Sequence, residues 1–287
     1  MTRFLDRFRE LASDYDVVLS DVWGVIHNGV EAFPEACAAL QTFRENGGTV
    51  VMITNAPRPS APVVAYLRGL NIKDATYDAI VSSGDVTRHY ITKHAGQKPY
   101  YLGPERDRVI YDELGIPFVA LDEADYIIDV GLVHEDNETP ENYRDLLTRA
   151  AARKLPMICA NPDLVVERGD KLLFCAGALA ELYRTLGGEV IFAGKPHRPI
   201  YEDALEIALE RRKAAGKTGT PRVLAIGDSV RTDLEGANAF GIPCLFVISG
   251  IHAADFGTHD NLDEAALARL LGTASKPPLA VTRRLSW

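Results

Sequence analysis

A chain of 287 residues, 47% hydrophobic and 25% charged, has an ordinary globular composition and enough length for one large or two modest domains, each with its own core. Its formal net charge of -9 disfavours nucleic acid or an anionic membrane as partner, since both select a basic face, but leaves room for a small anionic substrate in a locally positive pocket. The charged start MTRFLDRFRELASDYD has no secretion-signal core, no apolar run reaches the ~20 residues that span a bilayer, and the scattered Cys37, Cys159, Cys175 and Cys244 form no CxxC. Those cysteines are expected as small core residues rather than disulfides or metal ligands, and the protein is expected in the cytoplasm.

In chain order, the apolar run 16–20 reads as a buried strand that delivers Asp21 to its end. Residues 34–46 read as a helix, with Pro34 in the first turn and Gly47-Gly48 at the C-cap. A second buried strand, 49–54, ends on the hydroxyl of Thr54. A helix over 60–70, a short strand over 79–82 and a helix over 85–94 follow, and 96–99 (GQKP) is a break. Beyond it a new alternation begins with YYLG, a helix to Leu114, FVAL and YIIDVGL. A helix over 140–154, the strand PMICA and the amphipathic GALAELYRTLG come next, with Leu179, Leu182 and Leu186 as its core face. A strand over 189–193 leads to Lys195, a long helix covers 201–215, and a strand over 222–226 leads to Asp228. A helix over 234–240 and a last core strand, CLFVISG, close the pattern. Such alternation implies a parallel α/β sheet, Rossmann-like, with helices on both faces.

Four apolar strands thus end in Asp21, Thr54, Lys195 and Asp228. Ligands of open parallel sheets bind beyond the carboxyl ends of the strands. Two carboxylates, a hydroxyl and an ammonium at one edge suit a phosphate and a Mg²⁺ ion, which takes hard oxygen ligands.

At these residues the chain resembles the haloacid dehalogenase (HAD) superfamily. Asp21-Val22-Trp23-Gly24-Val25 is similar to its first motif, Ile53-Thr54-Asn55 to the second and Gly194-Lys195-Pro196 to the third. Gly227-Asp228-Ser229 with Asp233 is similar to the fourth and is the most specific. The long interval from Thr54 to Lys195, containing Asn161-Pro162-Asp163 and Cys175-Ala176-Gly177, resembles class IIA with a C2-type cap. The expected division is core 1–96 and 191–287, with a cap over 97–190.

The resemblance implies a Mg²⁺-dependent hydrolase of small phosphate monoesters, of the sugar-phosphate kind, working through an aspartyl-phosphate. It implies Asp21 as nucleophile, with Thr54 and Lys195 stabilising the transferring phosphoryl group. It also implies Mg²⁺ on Asp21, the Trp23 carbonyl and Asp228, with Asp233 and Ser229 supporting them. Thr54, Asn55, Lys195, Asn161 and Asp163 are the substrate-binding candidates, although Asn161-Pro162 also reads as a plain Asx turn. Arg58 reads more readily as a solvated surface residue. Capped proteins of this kind can pair through the cap, so a homodimer stays open.

The departure is Trp23. Family phosphatases usually carry there an Asp that protonates the leaving group, a contribution of roughly 10²–10⁴-fold. Indole is only a hydrogen-bond donor. Three readings stay open: another acid such as His27, His197 or Asp163; substrates whose leaving groups need no proton; or a catalytically weak phosphate- and metal-binding regulatory protein. A dehalogenase-type hydrolase is a further alternative, against which the Asp228/Asp233 pair argues.

Overall fold

The computed structural model describes residues 3–168, 171–248, 257–258 and 261–287, and the elements below are those of the described residues. They form two compact units: Met1–Thr54, Val63–Val81 and Lys195–Trp287 make one, and Asn55–Pro62 with Ser82–Gly194 make the other.

The first unit is built on β1 (Arg3–Leu5), β2 (Val17–Asp21), β3 (Thr49–Thr54), β4 (Ala79–Ser82), β11 (Val223–Gly227), β12 (Cys244–Val247) and β15 (Ala280–Thr282), in the order β1-β15-β12-β11-β2-β3-β4. From β1 through β3 every neighbouring pair is parallel. Strands buried on both faces are continuous apolar runs, and β2, VVLSD, is buried throughout. Successive side chains alternate between faces. Leu224 and Leu245 join the core under α2 (Pro34–Glu45), whereas Ala225 and Phe246 join that under α10 (Glu264–Leu271). Helices therefore cover both faces. α2 starts with a proline in its first turn, and the chain turns off after it at Gly47, where φ is 92°. The short α1 (Arg9–Ala12), α3 (Ser60–Gly69), α8 (Arg198–Ala214) and α9 (Glu235–Phe240) complete the set.

The second unit carries a parallel sheet in the order β10-β7-β6-β5, from β5 (Pro99–Leu102), β6 (Tyr126–Asp129), β7 (Met157–Cys159) and β10 (Val190–Phe192). Its core lies under α6 (Arg144–Ala152) and α7 (Ala176–Thr185), where Leu179 and Leu182 are buried and Leu186 packs at the margin. α4 (Ser83–Lys93) and α5 (Glu105–Asp112) also belong here. α4 begins with a capping box: the Ser82 hydroxyl accepts from Asp85 N, and the Asp85 carboxylate accepts from Ser82 N.

The structure corrects the sequence reading in places. FVAL is not a strand: Pro117 removes a donor, Val119 makes one bond to Pro99 O at 3.1 Å, and a 3₁₀ turn follows at Leu121–Glu123. The helix expected over 140–154 opens as a 3₁₀ turn, Pro140–Tyr143, because Thr139 and Asn142 cap each other, and its α-helical part is α6. The helix expected from 234 is preceded by a π-helical turn, Val230–Leu234. The last two residues of CLFVISG lie outside the described residues. An antiparallel hairpin of β8 (Val165–Arg168) and β9 (Lys171–Phe174), and the two-residue strands β13 (Gly257–Thr258) and β14 (Asn261–Leu262), had no expectation. The four cysteines are free, three buried and Cys37 half-buried. Among the described residues no helix is long and apolar enough to cross a membrane.

Candidate active site

The strand order of the first unit reverses between β2 and β11. From β2 the chain proceeds to β3 and β4 on one side, and from β11 to β12 and β15 on the other. The crevice at such a switch point is where open α/β sheets bind ligands. β2 ends there on Asp21, β3 ends on the half-buried Thr54, and Asp228 follows β11 directly.

These ends carry a buried charge cluster. Asp21 is 8% exposed, and Lys195, Asp228 and Asp233 are each 2% exposed. Lys195 Nζ lies 2.6 Å from Asp21 Oδ1 and 2.7 Å from Asp233 Oδ1. Asp21 Oδ1 also accepts from Val22 N at 2.7 Å. Asp233 Oδ2 accepts from Asp228 N at 3.2 Å and Ser229 N at 3.1 Å. The Ser229 hydroxyl in turn accepts from Thr232 N and caps the π-helical turn. Asp233 is therefore a brace that ties Lys195 to the loop carrying Asp228. Burial pushes the Asp21 carboxyl well above the ordinary range, Asp233 and Asp228 add to it, and Lys195 opposes them. Burial also works against the Lys195 ammonium, but Asp21 and Asp233 outweigh it and raise its pKa.

Fully ionised, three carboxylates against one ammonium would leave an excess of two negative charges out of water. Oxygens of Asp21, Asp228 and Asp233 lie within 4.8 Å of one another. A buried, all-oxygen donor set with that charge fits a hard divalent cation such as Mg²⁺.

Gly24 explains its own place in the first motif. Its φ is 82°, and a Cβ there would lie 2.0 Å from Asp228 Oδ2. Only a residue without a side chain brings the β2 loop this close to the second carboxylate. The sequence drew attention to this glycine by its spacing from Asp21; the approach to Asp228 is what the spacing alone did not reveal.

The loop after Asp21 is tightly bonded. Ile26 N donates to Val22 O, Gly24 N to His27 O and Phe33 N to Ile26 O. Trp23 is 42% exposed, so it is not a core packing residue, and its indole nitrogen would lie 3.2 Å from a Cβ on Gly29. His27 is 3% exposed, and its Nδ1 accepts from Gly29 N at 2.8 Å. Burial lowers its pKa to about 4, so it is neutral at neutral pH and already occupied. Tyr66 stacks edge-on against His27 and donates to Gly29 O. His27 is thus a fixture of the loop rather than a replacement acid. His197 is half-buried at the N-cap of α8 and makes no capping bond with its side chain.

The remaining candidates belong to the second unit. Asn55, 8% exposed, donates from Nδ2 to Asp163 Oδ1 at 3.0 Å. Asn161 Oδ1 accepts from Asp163 N at 3.0 Å, an Asx turn. The turn packs on the start of α7, where a Cβ on Gly177 would come within 2.3 Å of Pro162 O. The structure therefore brings Asn55, Asn161 and Asp163 together as one polar group. Arg58, with 54% of its side chain exposed, pairs with Asp107 at 3.2 Å.

The parallel α/β unit carries a buried Asp–Lys–Asp cluster at its switch point, and comparison with known proteins supplies the class and the family. Residues 18–117 match the haloacid dehalogenase-like hydrolase family, and residues 192–272 match a second HAD-hydrolase-like family. A haloacid dehalogenase-like hydrolase from Brucella suis 1330 superposes with a TM-score of 0.81 at 43% identity, covering 98% of this chain and 100% of that one. This chain belongs to the haloacid dehalogenase-like hydrolases. Among characterised relatives, the 5'-nucleotidase YutF of Bacillus subtilis is 25% identical over 248 residues, 86% of this chain and 92% of that protein. The ribonucleotide monophosphatase NagD of Escherichia coli is 25% identical over 246 residues, covering 83% and 89% respectively.

Proposed function

We propose that this enzyme is a Mg²⁺-dependent phosphatase of small phosphate monoesters that works through an aspartyl-phosphate on Asp21. The observation that carries the reading is the buried cluster in which Lys195 bridges Asp21 and Asp233 while Asp228 stands beside them. The phosphatase relatives support it. Both hydrogen-bonding partners of the Asp21 carboxylate, Val22 N and Lys195 Nζ, fall on Oδ1, so Oδ2 is the oxygen placed to attack phosphorus. Asp21, Asp228 and the Trp23 carbonyl would hold the metal, which supplies charge neutralisation between carboxylate and phosphate. Lys195 and Thr54 stabilise the equatorial oxygens, on which the charge of the transferring phosphoryl group is spread and where positioned donors do most to lower the barrier. Asp233 and Ser229 keep Asp228 and Lys195 in place. Asn55, Asn161 and Asp163 are proposed as substrate contacts carried by the second unit.

Hydrolysis of p-nitrophenyl phosphate tests the reading. Turnover should require Mg²⁺, stop with EDTA, and vanish in Asp21→Asn. Turnover retained by Asp21→Asn would overturn it, and halide release from 2-haloacids without phosphatase activity would favour attack on carbon.

A further inference from the structure

Cleavage of a phosphate monoester expels an oxyanion, and a basic one needs a proton as the P–O bond breaks. In the first unit, Lys195, Asp233, Asp228 and His27 are each committed elsewhere. Lys195 donates to two carboxylates, which hold its proton where it is. Asp233 uses one oxygen on Lys195 and the other on two backbone N–H groups. Asp228 is pressed against the backbone of Gly24. On the loop after Asp21, His27 is buried with Nδ1 taken by the Gly29 N–H. Glu31 is exposed, and its backbone N–H is bonded to the Asn28 side chain. The side chain two residues beyond the nucleophile is Trp23, exposed and without a transferable proton.

We propose that Trp23 restricts this enzyme to phosphorylated substrates whose leaving group departs as a stable anion, namely aryl, enol and acyl phosphates, and makes phosphates of simple alcohols poor substrates. The proposal rests on the phosphatase reading above and narrows its sugar-phosphate expectation. The chemistry balances without an acid. Asp21 Oδ2 forms a bond to phosphorus, the P–O bond breaks, and the electron pair leaves on the departing oxygen as a free anion. Water then attacks phosphorus, the P–O bond to Asp21 breaks, and both water hydrogens stay on the product as dihydrogen phosphate. Neither step transfers a proton to or from the protein. The exposed indole adds a planar apolar face, which suits an aryl group.

The test is a leaving-group series with Mg²⁺ present: acetyl phosphate, p-nitrophenyl phosphate, phenyl phosphate (whose phenol resembles tyrosine, with a pKa of about 10) and glycerol 2-phosphate. Wild-type kcat/KM should fall by roughly 10³-fold or more from the first two to the last, the size of a missing general acid. Trp23→Asp should raise the rate on glycerol 2-phosphate relative to that on p-nitrophenyl phosphate by about 10²-fold. Trp23→Asn and Trp23→Phe, which carry no acid, should leave the steep dependence in place. A wild-type profile flat to within ~10-fold would overturn the proposal, as would rescue by Trp23→Asn equal to that by Trp23→Asp. The wild-type slope decides the matter even if Trp23→Asp is inactive. Absence of turnover on every member would instead sink the phosphatase reading itself.

Discussion

Asp129 closes β6 with 0% exposure, and neither carboxylate oxygen has a hydrogen-bond partner of good geometry among the described residues. Burial pushes its pKa well above the ordinary carboxylate range, opposed only in part by the nearby Gly131 N–H. Cys159, Tyr111 and Tyr143 lie within electrostatic reach of it, and none of these side chains can carry a positive charge. The folded protein therefore holds a neutral carboxyl here, whereas the unfolded chain ionises near the ordinary value of about 3.9. The sign follows from linkage. Above that pH the unfolded state binds fewer protons, so this residue's contribution to stability is present at low pH and is lost as pH rises. The loss is about 1.4 kcal/mol per pH unit until the folded carboxyl itself ionises. Asp129→Asn keeps the shape and removes the titration. Any difference in how amide and carboxyl fit is independent of pH, so the slope isolates the ionisation. Urea unfolding of wild type and variant from about pH 4.5 to pH 7.5 should show the variant gaining on the wild type as pH rises, by up to about 1.4 kcal/mol per pH unit. A difference that stays constant across the window would refute the reasoning, as would a wild type that becomes the more stable protein at higher pH.

Two further substitutions test the first unit. Gly24→Ala combines an unfavourable left-handed backbone, worth about 1–2 kcal/mol, with a Cβ 2.0 Å from Asp228 Oδ2. It should raise the Mg²⁺ concentration needed for half-maximal activity. Gly29→Ala, with φ 89° but only the indole nitrogen at 3.2 Å, should carry the backbone cost without that shift, and equal shifts would contradict the contact. Lys195→Met leaves Asp21 and Asp233 facing each other without their shared cation. It should lower kcat by at least ~10²-fold and cost about 3–5 kcal/mol of stability, as breaking one side of a buried pair does. Wild-type stability measured by urea unfolding would count against the buried bridge.

Asp21, Thr54 and Asp228 were legible because each closes or follows an apolar run of one sheet, and a polar residue there is marked by contrast with the strand before it. Lys195 was expected at the end of a fourth strand of that sheet, but the strand before it, β10, has three residues and pairs with β7 in the second unit's sheet. Alternation of such runs with helical periods likewise carried the parallel sheet. Much of the remainder depends on pairing that no local pattern encodes. β1 and β15 are three-residue strands that pair with each other, 275 residues or more apart, and nothing in either segment announces it. The hairpin of β8 and β9, VVER and KLLF, lacks the alternation of a half-buried strand. FVAL misled in the opposite direction, since its β-branched and aromatic content outweighed the missing donor at Pro117. In the site, Asp233 was visible as a spacing, but its simultaneous hold on Lys195 and two backbone N–H groups needed coordinates. His27 showed the reverse. Its position after Asp21 suggested chemistry, and only the Gly29 N–H at its Nδ1 reveals a structural role.

The central claim is that Asp21 carries the phosphoryl group. Wild-type enzyme mixed with Mg²⁺ and ³²P-labelled phenyl phosphate, then quenched in acid within the first turnover, tests it directly. The account predicts protein-bound label that hydroxylamine releases, as it does from an acyl phosphate, and no such label in Asp21→Asn. Hydrolysis at full rate with no labelled protein, or label that persists in Asp21→Asn, would contradict it.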